Sequence, residues 1–192
     1  TYESKMDKLK QITRNFDVDF FAKLDAQELD EIYQRIKSEI QPQDRFLKRK
    51  LNAMKFNAYR FLEIQKRHGS FKAFVGNEMV DKELLISKLI DRDSEYKLKL
   101  VGLAICCEFF KNIGVDEFKP DIHMARLFSR MEMLSCAFTK SPSQVAIRQT
   151  REIGWDFARK VGKKATEIDS ILWQFCADKK AEICTAQNPK CT

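Results

Sequence analysis

The sequence predicts an all-α protein. Only six glycines and four prolines occur in 192 residues, apolar positions recur at spacings of three and four, and no convincing strand stands out. A chain of this length buries a sizeable core, as one body or as two small lobes wrapped around each other.

The elements follow in order. A first helix is expected over about 4–14 and a second over about 26–40, where Asp25 with Glu28 three residues on makes a capping-box pattern. Pro42 separates it from a third helix over about 44–67. That helix lays Leu47, Leu51, Met54, Ala58, Phe61 and Leu62 along one stripe and carries Arg45, Lys48, Arg49, Lys50, Lys55 and Arg60 on the rest. His68-Gly69 is its stop signal. Short helices are expected over about 70–75 and 81–90, then two joined by a tight hairpin over about 93–99 and 102–112, the second closed by Gly114. The second is apolar on nearly every face, which predicts burial.

Asp121 opens a helix to about 138. In Ser141-Pro142-Ser143-Gln144 a capping serine, a proline at the first helical position and a glutamine three after the cap start a helix to about 161, ended by Gly162. Thr166-Glu167-Ile168-Asp169 opens the last helix, to about 177, and a cysteine-bearing tail follows. There is no internal repeat and no low-complexity linker.

Lysine and arginine outnumber aspartate and glutamate by 35 to 28, and the net charge of +7 suits an anionic partner without identifying one. No run approaches the roughly eighteen apolar residues of a membrane span, and no signal-type apolar core follows Thr1. A soluble protein without a membrane partner is expected, cytoplasmic, or nuclear in a eukaryote. Six cysteines are too few for a disulfide scaffold in a chain this long, and Cys106-Cys107 read as small reduced hydrophobes.

Two positions carry candidate chemistry. A glycine at 102, just before a helix, lets backbone amides approach a phosphate closely; the plainer reading is that it lets two helices pack. Asp121, nineteen residues later, puts a lone carboxylate at a helix entrance, where capping and chemistry do not exclude each other. His123 and Arg126 read as structural, and Met124, Leu127, Phe128, Met131 and Leu134 as a core stripe. Phe71, Phe74, Trp155 and Trp173 are core residues first and base-pocket candidates second. Lys163-Lys164 and the basic third helix read as solvated faces before phosphate contacts.

Leu98-Lys99-Leu100-Val101-Gly102, with Ile105-Cys106 and Phe109 or Phe110, resembles the hairpin of the 3-methyladenine DNA glycosylase I family, and residues 57–71 resemble its middle helix. Pro120-Asp121-Ile122-His123-Met124-Ala125-Arg126 is similar to the Asp-x-His-x-x-Arg signature of the wider helix-hairpin-helix glycosylase superfamily, which includes endonuclease III and the alkyladenine glycosylases. The likeness runs over about residues 25–191.

The resemblance implies a two-lobed helix-hairpin-helix DNA glycosylase fold. Residues 25–114 would form a central lobe ending in the hairpin, and 1–24 with 115–192 a terminal lobe. It implies a monomeric repair enzyme that removes a damaged base, with alkylated purines the first candidates, from double-stranded DNA. Asp121 would assist cleavage of the N-glycosidic bond of a flipped-out nucleotide, and Lys99, Val101 and Gly102 would hold the DNA backbone. Superfamily members that also cut the strand carry a Schiff-base lysine eighteen residues before the aspartate, and here that position is Leu103. A monofunctional glycosylase without lyase activity is expected; the rivals are a catalytically inactive helix-hairpin-helix DNA-binding protein and a helical module for an acidic protein partner. Cys184 and Cys191 match the first gap of the endonuclease III iron-sulfur motif, but the chain stops at Thr192 without the remaining ligands, so no cluster, metal or other cofactor is expected.

Overall fold

The computed structural model describes residues 2–78, 81–135 and 141–176, and among these every regular element is helical. The chain divides into two compact units, Thr1–Leu100 and Val101–Thr192.

The first unit contains α1 (Tyr2–Ile12), α2 (Val18–Lys23), α3 (Ala26–Glu39), α4 (Leu47–His68), α5 (Phe71–Glu78) and α6 (Lys82–Ile90). Ile12, Phe21, Leu24, Leu29, Ile32, Ile36, Ile40, Leu51 and Ala58 close one apolar core, so residues before and after position 24 share it. The capping box of α3 is present: the Glu28 N–H donates to Asp25 Oδ1 at 2.8 Å and the Asp25 N–H to Glu28 Oε2 at 2.7 Å. The short α2 escaped the sequence reading because the chain reaches it through Arg14, Asn15 and Phe16, all at positive φ (49°, 56°, 59°), a turn with no glycine to announce it. α4 ends at His68, as expected, with Gly69 at φ +80°. The His68 ring packs on Phe74 and bonds Tyr96 Oη at 3.0 Å, a structural role.

No helix forms over 93–99. Residues 91–102 are a turn-rich connection instead, because polar side chains compete for the backbone there. Ser94 Oγ donates to the Lys88 carbonyl and accepts from the Tyr96 N–H, and the Leu98 N–H returns to the Leu89 carbonyl at 2.9 Å. The sharp turn falls at Leu100, φ +59°.

The second unit contains α7 (Leu103–Asn112), α8 (Ile122–Arg130), α9 (Gln144–Lys160) and α10 (Ala165–Cys176). Phe118, Met124, Leu127, Phe128, Ala158, Ala165 and Ile168 form its core. A methyl group on Gly154 would lie 2.3 Å from the Phe118 ring, so α9 needs glycine there for the ring to seat. Cys106 and Cys107 are buried as expected, and burial pushes the Cys107 thiol far up.

Two boundaries depart from expectation. α9 is capped by Ser143, whose Oγ accepts from the Ala146 N–H at 3.1 Å, rather than by Ser141. α8 stops at Arg130, not near 138: Glu132 adopts φ +57° and the Met133 N–H reaches back to the Phe128 carbonyl at 2.9 Å. The same closure ends α7 at Gly114 and α9 at Gly162, where glycine had signalled it.

Between α7 and α8 the chain is locked by Glu117, which is fully buried. Its Oε1 accepts from Arg151 Nε at 3.0 Å, Trp155 Nε1 at 2.7 Å and the Phe118 N–H at 2.8 Å, and its Oε2 from an Arg151 terminal nitrogen at 2.8 Å. Next to it, Asp116 caps α10 by accepting from the Ala165 and Thr166 N–H groups at 3.3 and 2.9 Å. Among the described residues no helix is long and apolar enough to cross a membrane.

Candidate functional site

Asp121 is the N-cap of α8. One oxygen, Oδ1, accepts from the His123 N–H at 2.8 Å and the Met124 N–H at 3.1 Å, which satisfies two donors of the first turn. The other, Oδ2, makes no hydrogen bond among the described residues and lies 3.9 Å from Lys119 Nζ. The side chain keeps 15% exposure.

Lys119 links Asp121 to a chain of alternating charges. Its ammonium lies 3.4 Å from Glu108 Oε2, which is 3.5 Å from Lys111 Nζ, and Lys111 bonds Asp169 Oδ2. The Lys119 N–H donates to Asp169 Oδ1 at 3.3 Å, closing the chain. Glu108, Lys111, Lys119 and Asp169, but not Asp121, line a cleft of about 420 Å³ together with Ser170, Trp173 and Gln174 of α10.

Burial lifts the Asp169 carboxyl above its ordinary range, although the Lys111 ammonium pulls against it. For Lys111 burial is the largest single influence and acts downward, but the bonds and charges of Asp169 and Glu108 together outweigh it and the net direction is up. Each partner favours the charged form of the other against the cost of burial.

Sequence reasoning singled out Asp121 but missed Lys119, Glu108, Lys111 and Asp169. Their ion pairs join residues up to 58 positions apart, and no local spacing announces such pairs. Of the aromatic candidates, Phe74 is fully buried and Trp155 is tied to Glu117, whereas Trp173 is 42% exposed at the cleft.

Gly102 caps α7 in extended backbone, φ −110°, and a Cβ there would meet nothing within 4 Å. Neither conformation nor helix packing requires a glycine, so the plainer sequence reading loses its basis. No side chain caps α7, whose first turn keeps its amide donors. Val101 precedes it, half-buried. Lys99 belongs to the first unit, where Asn57 grips its backbone: the Lys99 N–H donates to Asn57 Oδ1 at 2.7 Å and Asn57 Nδ2 to the Lys99 carbonyl at 3.1 Å. Leu103, the first residue of α7, brings no amine.

Among the described residues no group of three or more His, Cys, Asp or Glu side chains is placed to hold a metal ion. Cys184 and Cys191 lie outside the described residues. No protein-family model matches the chain, nor does any curated protein or solved structure.

Proposed function

We propose that the chain is a monofunctional DNA N-glycosylase of the two-lobed helix-hairpin-helix kind, acting as a monomer on a damaged base flipped out of double-stranded DNA. Alkylated purines are the first substrate class to try, on the resemblance alone. The observation that carries the reading is the divided use of Asp121: Oδ1 is spent on the helix cap, while Oδ2 makes no hydrogen bond among the described residues and lies 3.9 Å from Lys119 Nζ. A carboxylate fixed in this way suits stabilisation of an oxocarbenium-like sugar or orientation of the attacking water. The open, uncapped start of α7 at Gly102 suits a phosphate oxygen. With Leu103 in place of a lysine, the product is an intact abasic site.

The test is base release from duplex oligonucleotides carrying a panel of lesions. Asp121→Asn keeps the cap, since asparagine caps about as well as aspartate, but removes the charge. Release is expected to fall on the order of 100-fold or more with DNA binding retained, and borohydride is expected to trap no covalent complex with the unmutated protein. Gly102→Glu is a clean second probe, because its Cβ has room to fold into, so weakened binding reports on the ligand. Full release by a folded Asp121→Asn protein rejects this mechanism. No release from any lesion, with DNA binding intact, turns the reading to a catalytically inactive DNA-binding protein of the same kind.

A further inference from the structure

The outward side of α4 carries a long polar and basic stripe. Arg49, Asn52, Phe56, Tyr59, Glu63 and Lys66 recur at spacings of three and four, so they form one stripe along the helix. The buried stripe, with Leu51 and Ala58, lies on the other side. Tyr59 stands 54% exposed in the middle of the outward stripe. Beside it two cations face the Phe56 ring: Lys99 Nζ lies 4.0 Å from its centroid and the Arg60 guanidinium 5.1 Å.

Charge balance is uneven along this helix. Lys48, Lys50, Arg60 and Arg67 each pair with a carboxylate, respectively Asp30, Asp44, Glu63 and Glu95. Arg49, Lys55, Lys66 and Lys99 form no ion pair among the described residues; Arg49, Lys66 and Lys99 are exposed and Lys55 half-buried. Lys99 is not there by chance of rotamer, since the two-bond grip of Asn57 on its backbone delivers it to this face from 42 residues away.

We propose that this face of α4, extended by Lys99, is a docking track for the phosphate backbone of duplex DNA. The inference rests on the DNA-repair reading above and adds a surface to it. Uncompensated cations, an amide and an exposed phenol suit phosphate and sugar contacts, which position a protein without reading sequence. From Arg49 to Lys66 the helix runs about 25 Å, at about 1.5 Å per residue, so it spans several phosphates of one strand spaced about 3.4 Å apart along the duplex axis. An acidic protein would meet the same charges, but Asn52 and Tyr59 are better matched to backbone oxygens that accept hydrogen bonds.

The experiment measures binding of the full chain to a labelled duplex by fluorescence anisotropy between about 50 and 200 mM salt. Each phosphate contact adds about 0.9 to the slope of log affinity against log salt, or roughly 3.5-fold across that range. Arg49→Gln, Lys55→Gln and Lys66→Gln together are expected to reduce the slope by about 2.7, so that the loss of affinity over the range shrinks by roughly 40-fold. Lys5→Gln, Lys8→Gln and Lys10→Gln remove the same charge from exposed positions on α1 and are expected to change it by less than about one. All substituted positions are surface lysines and arginines, and thermal melting checks that the fold is kept.

Equal slopes for the two triple variants, an unchanged slope for the α4 variant, or no duplex binding by the unmutated protein overturns the track. Base release measured on the same proteins separates the two claims. An altered α4 slope without base release from any lesion strikes the catalytic reading alone, and base release with an unaltered α4 slope strikes the track alone.

Discussion

Removing the Glu117 carboxylate should destabilise the second unit more than any other single polar change in it. In Glu117→Ala the Arg151 guanidinium, with 9% of its side chain exposed, loses both of its bonds to Glu117 and stays buried without that carboxylate. Breaking a buried pair in this way costs about 3–5 kcal/mol. The Phe118 N–H loses its acceptor as well, a further ~1 kcal/mol or more, while the half-buried Trp155 can turn to water. A unit of this size is held by about 5–15 kcal/mol in total, so the loss takes a large share of it. The chain's two tryptophans, Trp155 and Trp173, both belong to this unit, so urea unfolding followed by tryptophan fluorescence reads its stability directly. Glu117→Leu with Arg151→Met removes both charges, and is expected to recover more than half of the loss because no charge is stranded. A loss below about 1 kcal/mol in Glu117→Ala, or a double variant no better than the single one, would falsify the claim that stranded charge dominates.

Three further outcomes are expected. Gly154→Ala drives a methyl into the Phe118 ring and should destabilise by about 1–3 kcal/mol in denaturant unfolding, with Phe118→Leu on the same background restoring part of it. Lys111→Met leaves Asp169 buried without its ammonium, raising further a carboxyl that burial already lifts. A raised carboxyl contributes stability that is present below its unfolded value and lost as pH rises through the folded one, so the penalty should reach about 3 kcal/mol near pH 8 and shrink toward pH 4–5. A penalty independent of pH contradicts this account. Leu100→Gly relieves a left-handed backbone at an exposed position and should stabilise by about 0.5–1 kcal/mol, read as a higher melting temperature.

The sequence alone determined the helical class, most helix positions and the features that depend on a few adjacent residues. The Asp25–Glu28 capping box, the Gly69, Gly114 and Gly162 helix stops and the Asp121 cap were all legible, because each is a contact between a side chain or a free φ angle and the backbone within one turn. The same local logic failed where a residue without the usual signal took the special conformation. Glu132 closes α8 and Leu100 makes the turn before α7, both at positive φ, at a cost of about 1–2 kcal/mol per residue that the fold as a whole offsets and no propensity predicts. Tertiary structure decided the rest. Glu117 with Arg151, Lys111 with Asp169 and Asn57 with Lys99 join residues 34, 58 and 42 positions apart. In sequence each of these residues is one more charged or polar position on a helix or loop. Burial alone makes Glu117 and Asp169 costly to leave unpaired, and only the folded chain determines which cation meets them.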